Sequence, residues 1–149
     1  MRLTPLGDSA LVVELGSRVD EATHHRVQAA WRLLTAPPLA GVVEVVPAFT
    51  TVTVFYDPCA LAAAQPSSGS LLAGLSSAVQ SRLSGLEASL PGAKKQSTIE
   101  IPVCYGGPFG PDLSYVASHT GLSEEEVIRC HSSPSYLVYL IGFSPGFPY

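Results

Sequence analysis

Charge is what this sequence has least of. Asp, Glu, Lys and Arg make up 13% of its 149 residues, roughly half the ~25% usual in soluble proteins. Its 8 Lys and Arg stand against 12 Asp and Glu, for a net charge of −4. The longest basic run is Lys94-Lys95. Nucleic-acid binding draws on clustered cations that release counterions, so the charge pattern argues against DNA or RNA as a partner. No apolar run reaches the ~18–20 residues of a membrane-spanning helix. Val42–Phe55 is interrupted by Glu44 and Pro47, and Tyr136–Phe143 is short. The N-terminus lacks the apolar core and small-residue cleavage site of a signal peptide. Three cysteines, Cys59, Cys104 and Cys130, form neither a CxxC pair nor an even disulfide set. Reduced thiols in the cytoplasm are the expected state. The GxxxxGK phosphate loop and HExxH are missing as well. No metal site is expected, because the adjacent His24-His25 diverge by about 100° on a helix and cannot share one ion.

What is present is an apolar, foldable chain. Apolar types reach 46%, which excludes intrinsic disorder and leaves apolar surface for a partner to cover. A short strand is predicted over Leu11–Leu15 after a Gly7-Asp8 turn. Asp20 is placed to cap a helix running to about Thr35, with Val27, Ala30, Trp31 and Leu34 on one face, and Pro37-Pro38 stops it. Strands follow at Val42–Ala48 and Thr51–Tyr56, the second terminated by Asp57-Pro58. After a Pro66–Gly69 break, Leu71, Leu75, Val79 and Leu83 recur every fourth residue of an amphipathic helix from about Ser70. Pro91–Lys95 reads as a linker or turn, and Ile99, Ile101 and Val103 alternate as a further strand. The order β-α-β-β-α-β is the ferredoxin-like pattern, so the expected class is α+β.

From Cys104 the texture changes. Tyr105-Gly106-Gly107-Pro108-Phe109-Gly110-Pro111 requires a glycine-dependent loop. A short helix is predicted from near Asp112 to Gly121. The next helix has a full start signal: Ser123 and Glu126 make a capping box, with Leu122 and Val127 as the hydrophobic staple. This pair imitates a helix-turn-helix, but Glu124-Glu125-Glu126 would repel phosphates where a recognition helix meets DNA. Pro134 ends the segment. Tyr136–Ile141 is predicted as an apolar strand, followed by Gly142-Phe143-Ser144-Pro145-Gly146-Phe147-Pro148-Tyr149.

Three features carry candidate chemistry, each with a structural alternative. Asp112 is a helix cap, or a contact for magnesium or a substrate ammonium beside the glycine loop. His131 is a cation at the negative end of a helix dipole, or a general acid–base group. The Gly142–Tyr149 loop, rigid through its glycines and prolines and walled by Phe143, Phe147 and Tyr149, either packs between strands or lines a ligand.

Ile101-Pro102-Val103-Cys104-Tyr105-Gly106-Gly107 and Gly110-Pro111-Asp112-Leu113 resemble the opening of the second domain in the family of B-type 5-oxoprolinase subunits. That family is also described as allophanate hydrolase subunit 1, as a carboxyltransferase-type domain, and includes a sporulation histidine-kinase inhibitor. Val116-Ala117, Thr120–Ser123, Val127-Ile128, His131, Tyr136, Gly142-Phe143, Pro145–Phe147 and Tyr149 continue the likeness in order. Gly7–Leu11, Val45–Pro47 and Tyr56–Pro58 extend it over the whole chain.

The resemblance implies a ferredoxin-like domain over 1–95 and the start of a cyclophilin-like β-barrel over 96–149, in a chain truncated at its C-terminus. It implies ATP-dependent (with Mg) opening of 5-oxo-L-proline to L-glutamate by a complex with companion 5-oxoprolinase subunits of the A and C types, this chain being inactive alone. Under it, His131 and Asp112 are the catalytic candidates. Tyr105, Gly106, Gly107, Gly110, Gly142, Phe143, Pro145, Gly146, Phe147 and Tyr149 are candidates for binding substrate or nucleotide. The alternatives within the family are a non-enzymatic kinase inhibitor and an allophanate hydrolase or urea carboxyltransferase-type subunit.

Overall fold

The N-terminal hairpin decides the sheet. Gly7, at φ +64°, supplies the left-handed turn residue that joins β1 (Arg2–Leu6) to β2 (Ala10–Glu14), paired antiparallel with Leu3 opposite Val13. A computed structural model of the chain describes residues 1–64, 70–90 and 98–149. Five helices and four strands lie among them, and the strands form one antiparallel sheet in the order β1-β2-β4-β3. No alternation in the sequence is strong enough to announce β1. Its Pro5 is tolerated because an edge strand leaves one side of its backbone unpaired.

α1 (Glu21–Thr35) starts where Asp20 Oδ1 accepts the Thr23 N–H at 2.8 Å. Its Val27, Ala30 and Leu34 are fully buried. β3 (Val42–Pro47) and β4 (Thr51–Tyr56) form a hairpin with a register shift between Val42 and Glu44. Alternation on β4 turns Val52, Val54 and Tyr56 into the core, where they meet Leu11, Val13 and Leu15 from β2 and its end. α2 (Pro58–Ala64) hides behind a terminator signal: Asp57-Pro58 does end β4, but the same pair also starts a helix. Asp57 Oδ1 accepts from the Cys59 and Ala60 N–H groups at 2.7 and 3.1 Å, and Pro58 takes the first helical position, where no N–H is needed. α3 (Leu71–Leu83) buries Leu75, Val79 and Leu83 as its four-residue repeat predicts. Its Arg82 Nη1 donates to the carbonyls of Leu33 and Pro37, at 3.2 and 2.8 Å. The predicted breaks at 66–69 and 91–95 lie outside the described residues.

The chain divides into two compact units, Met1–Lys94 with Val138–Tyr149, and Lys95–Leu137. Sequence reasoning instead keeps 138–149 with the second domain. The second unit is a helical hairpin, α4 (Leu113–Thr120) and α5 (Glu124–Ser132), preceded by the glycine loop. Gly121 closes α4 at φ +72°, with its N–H and that of Leu122 both on the Ala117 carbonyl. The capping box on α5 is complete.

Two predicted strands are not strands. Ile99, Ile101 and Val103 keep an exposed course without ladder partners among the described residues, since alternation makes a strand only where a neighbour supplies hydrogen bonds. Tyr136–Ile141 likewise carries one isolated bridge, Ile141 to Pro148, made by its own following loop.

Candidate functional site

The candidate residues fall into two groups, one in each unit. In the second unit the glycine loop is a tight 3-10 turn over Gly107–Phe109. Gly106 and Gly107 adopt φ +78° and +55°. A Cβ on Gly110 would stand 2.7 Å from the Gly106 nitrogen, so this close approach of backbone to backbone admits only glycine. The loop ends at Asp112, whose side chain makes no cap hydrogen bond to α4; the capping role expected for it is not realised.

Tyr105, just before the loop, reaches α5. Its hydroxyl lies 2.6 Å from His131 Nδ1, with the two rings standing at 81°. Tyr136 Oη donates to the His131 carbonyl at 2.8 Å, which ties the last turn of the helix to the chain leaving it. His131 is thus held through both ring and backbone, while the residue stays exposed. No hydrogen bond among the described residues joins it to Asp112, so the two catalytic candidates are not a pair. The Tyr136 contact escapes sequence reasoning, which places that tyrosine in a strand. The Ser114 hydroxyl donates to the Glu124 carboxylate across the α4–α5 hairpin.

Within the loop the Phe109 and Gly110 amides both bond the Gly106 carbonyl and the Leu113 amide bonds that of Gly110, so these three donors are engaged by the chain itself. Arg129 faces Glu126 at 3.9 Å. Among the described residues, no three His, Cys, Asp or Glu come together as a metal site.

In the first unit the aromatic loop turns back on itself. Ser144-Pro145-Gly146-Phe147 is a β-turn closed by the Phe147 N–H on the Ser144 carbonyl at 3.0 Å, with Gly146 at φ +82°, as proline then glycine at its centre favour. The Gly142 amide bonds the Phe147 carbonyl, and Tyr149 exchanges bonds with Tyr139 and Leu140. Phe147 packs on Tyr149, Tyr149 on Phe49, Phe49 on Tyr139, and Tyr139 stands edge-on to His24 at 5.1 Å. Phe143 is 94% exposed and the one non-glycine at positive φ among the described residues, +63°. Beside the loop an open hollow of about 340 Å³ is lined by Gln28, Val46, Pro47 and Val138–Ile141. His24 is buried, and desolvation, aided by neighbouring His25, holds its imidazole below the usual pKa, against the pull of Glu21.

Comparison with known proteins decides the family. The model of the carboxyltransferase domain, subdomain C and D, matches residues 1–149. The chain belongs to that family. It is 39% identical to the B-type subunit of 5-oxoprolinase from Bacillus subtilis (strain 168), over 99% of this chain and 61% of the relative. It is 36% identical to the corresponding 5-oxoprolinase subunit from Haemophilus influenzae, over 100% of this chain and 63% of that one. This carboxyltransferase-domain chain therefore spans about three-fifths of the length of these relatives. The crystal structure of TTHA0988 is similar at a TM-score of 0.64 and 34% identity, covering 93% of this chain and 24% of that one. No described helix is long and apolar enough to cross a membrane.

Proposed function

We propose that this chain serves in an ATP-dependent 5-oxoprolinase, a complex with companion subunits of the A and C types that opens 5-oxo-L-proline to L-glutamate. The observation that carries this is the 39% identity to a B-type 5-oxoprolinase subunit across 99% of the chain. The first unit reads as ferredoxin-like: β2, α1, β3, β4 and α3 follow the pattern in order, with β1 beside β2 in the place expected for Ile99–Val103. The second unit reads as the opening of a cyclophilin-like domain. Three exposed free cysteines suit a reducing, cytoplasmic setting.

An unstrained lactam is a poor electrophile, so its opening needs both activation and a proton for the departing nitrogen. The Phe109, Gly110 and Leu113 amides are bonded within the loop and are assigned no nucleotide contact, and ATP chemistry is proposed for the assembled complex. His131 is the residue proposed to act on the substrate's polar atoms, with Asp112 a carboxylate at the same loop. The Gly142–Tyr149 loop is proposed to wall the substrate or a companion subunit. The test is steady-state glutamate release by the complex. His131→Ala is expected to lower turnover by roughly 10²-fold or more, the scale of losing a positioned polar group at the reacting atoms. Unchanged turnover in a folded, associated complex would remove His131 from the site.

A further inference from the structure

The Tyr105–His131 contact has a direction, and the direction decides what the imidazole can offer. A phenol is far more acidic than a neutral imidazole N–H, and an imidazole lone pair is a better acceptor than a phenol oxygen. At 2.6 Å the pair is a short bond, and with the ring neutral these acidities make the hydroxyl the donor and Nδ1 the acceptor. The proton of the neutral ring then sits on Nε2, for which the structure gives no partner among the described residues.

We infer that Tyr105 is a positioning residue that selects the tautomer of the neutral His131 ring, leaving Nε2 as the donor to an acceptor oxygen of an amide or carboxylate. This rests on the reading of His131 as a substrate-facing group, and it reassigns Tyr105 from binding ligand to orienting the histidine. The ring's sole basic nitrogen is occupied by Tyr105, so His131 does not act as a general base in this state. Two further bonds keep the geometry. Tyr136 holds the His131 carbonyl, and the Ser133 N–H bonds the Arg129 carbonyl at 3.0 Å, which keeps the last turn of α5 closed. A donor that polarises a carbonyl needs no proton to leave the ring, which matches a neutral imidazole better than proton transfer does.

The test does not depend on activity. In 15N-labelled protein at pH 8, long-range proton–nitrogen correlations of His131 should show Nε2 protonated and Nδ1 bare but hydrogen-bonded. In Tyr105→Phe the Nδ1 resonance should move toward that of a free imidazole. Diethyl pyrocarbonate attacks a bare ring nitrogen, so site-resolved mass spectrometry should find His131 modified more slowly than His119, which is stacked on Tyr115. Tyr105→Phe should speed His131 modification by roughly tenfold, as loss of one hydrogen bond allows. A proton on Nδ1 in the unaltered protein, or modification of His131 as fast as His119 with Tyr105 in place, would overturn the assignment. Either result would leave the 5-oxoprolinase reading to its own assay.

Discussion

His24 shows how one residue can tie stability to pH. It is 8% exposed, Nδ1 has no hydrogen-bond partner among the described residues, and Tyr139 closes on its ring. Burial favours the neutral imidazole and lowers its pKa from the ordinary 6.5. The folded state therefore binds fewer protons than the unfolded one just below that value. The stabilisation is complete above pH ~6.5 and is lost as pH falls toward the lowered folded pKa. Thermal midpoints should drop between pH 7.5 and 5.5, and His24→Leu should flatten that part of the dependence. A dependence as steep in the variant as in the parent would contradict this role. Gly41 makes a second demand at this scale. At φ +77°, a Cβ there would stand 2.6 Å from Leu61 Cα, and that atom is helix backbone behind a fully buried side chain. Gly41→Ala should cost more than about 2 kcal/mol in denaturant unfolding, and a loss under about 0.5 kcal/mol would show that α2 shifts freely.

Elements are legible where their signals are local. Asp20, Ser123 with Glu126, Gly121 and the Leu71–Leu83 repeat each act within one or a few turns, and each is realised. The Ser123 hydroxyl accepts the Glu126 N–H at 3.2 Å while the Glu126 carboxylate accepts the Ser123 N–H at 2.8 Å. Ser123→Ala should destabilise α5 by about 1 kcal/mol, read as faster amide exchange in its first turn. Ser123→Asp, which keeps an acceptor at the cap, should restore most of the protection. Elements are illegible where pairing is non-local. Ile99–Val103 and β1 compete for the same description, a short apolar stretch near a sheet, and only the Gly7 turn brings β1 to β2. Asp57-Pro58 carries two meanings, the end of β4 and the start of α2, and periodicity shows only the first. The site is legible in part for the same reason. His131 and Tyr105 stand out as residue types, but a hydrogen bond across 26 residues of chain needs the fold.

Across the whole molecule the two units differ in how they are held. The first buries side chains from β2, β4, α1, α2 and α3 in one cluster, whereas in the second Ala117 is the one buried apolar residue among those described. Ile99, Ile101 and Phe109 stand 79%, 69% and 78% exposed there. So much open apolar surface on one small unit is of the kind a partner covers, as the proposed complex would. The chain belongs to the carboxyltransferase-domain family and is 39% identical to a B-type 5-oxoprolinase subunit, the ground on which the complex is proposed. The most direct measurement is glutamate release from 5-oxo-L-proline and ATP by companion A- and C-type subunits, with and without this chain. Release that requires the chain, with none from the chain alone, is the predicted result. Equal release in its absence, or none in its presence, would contradict the account.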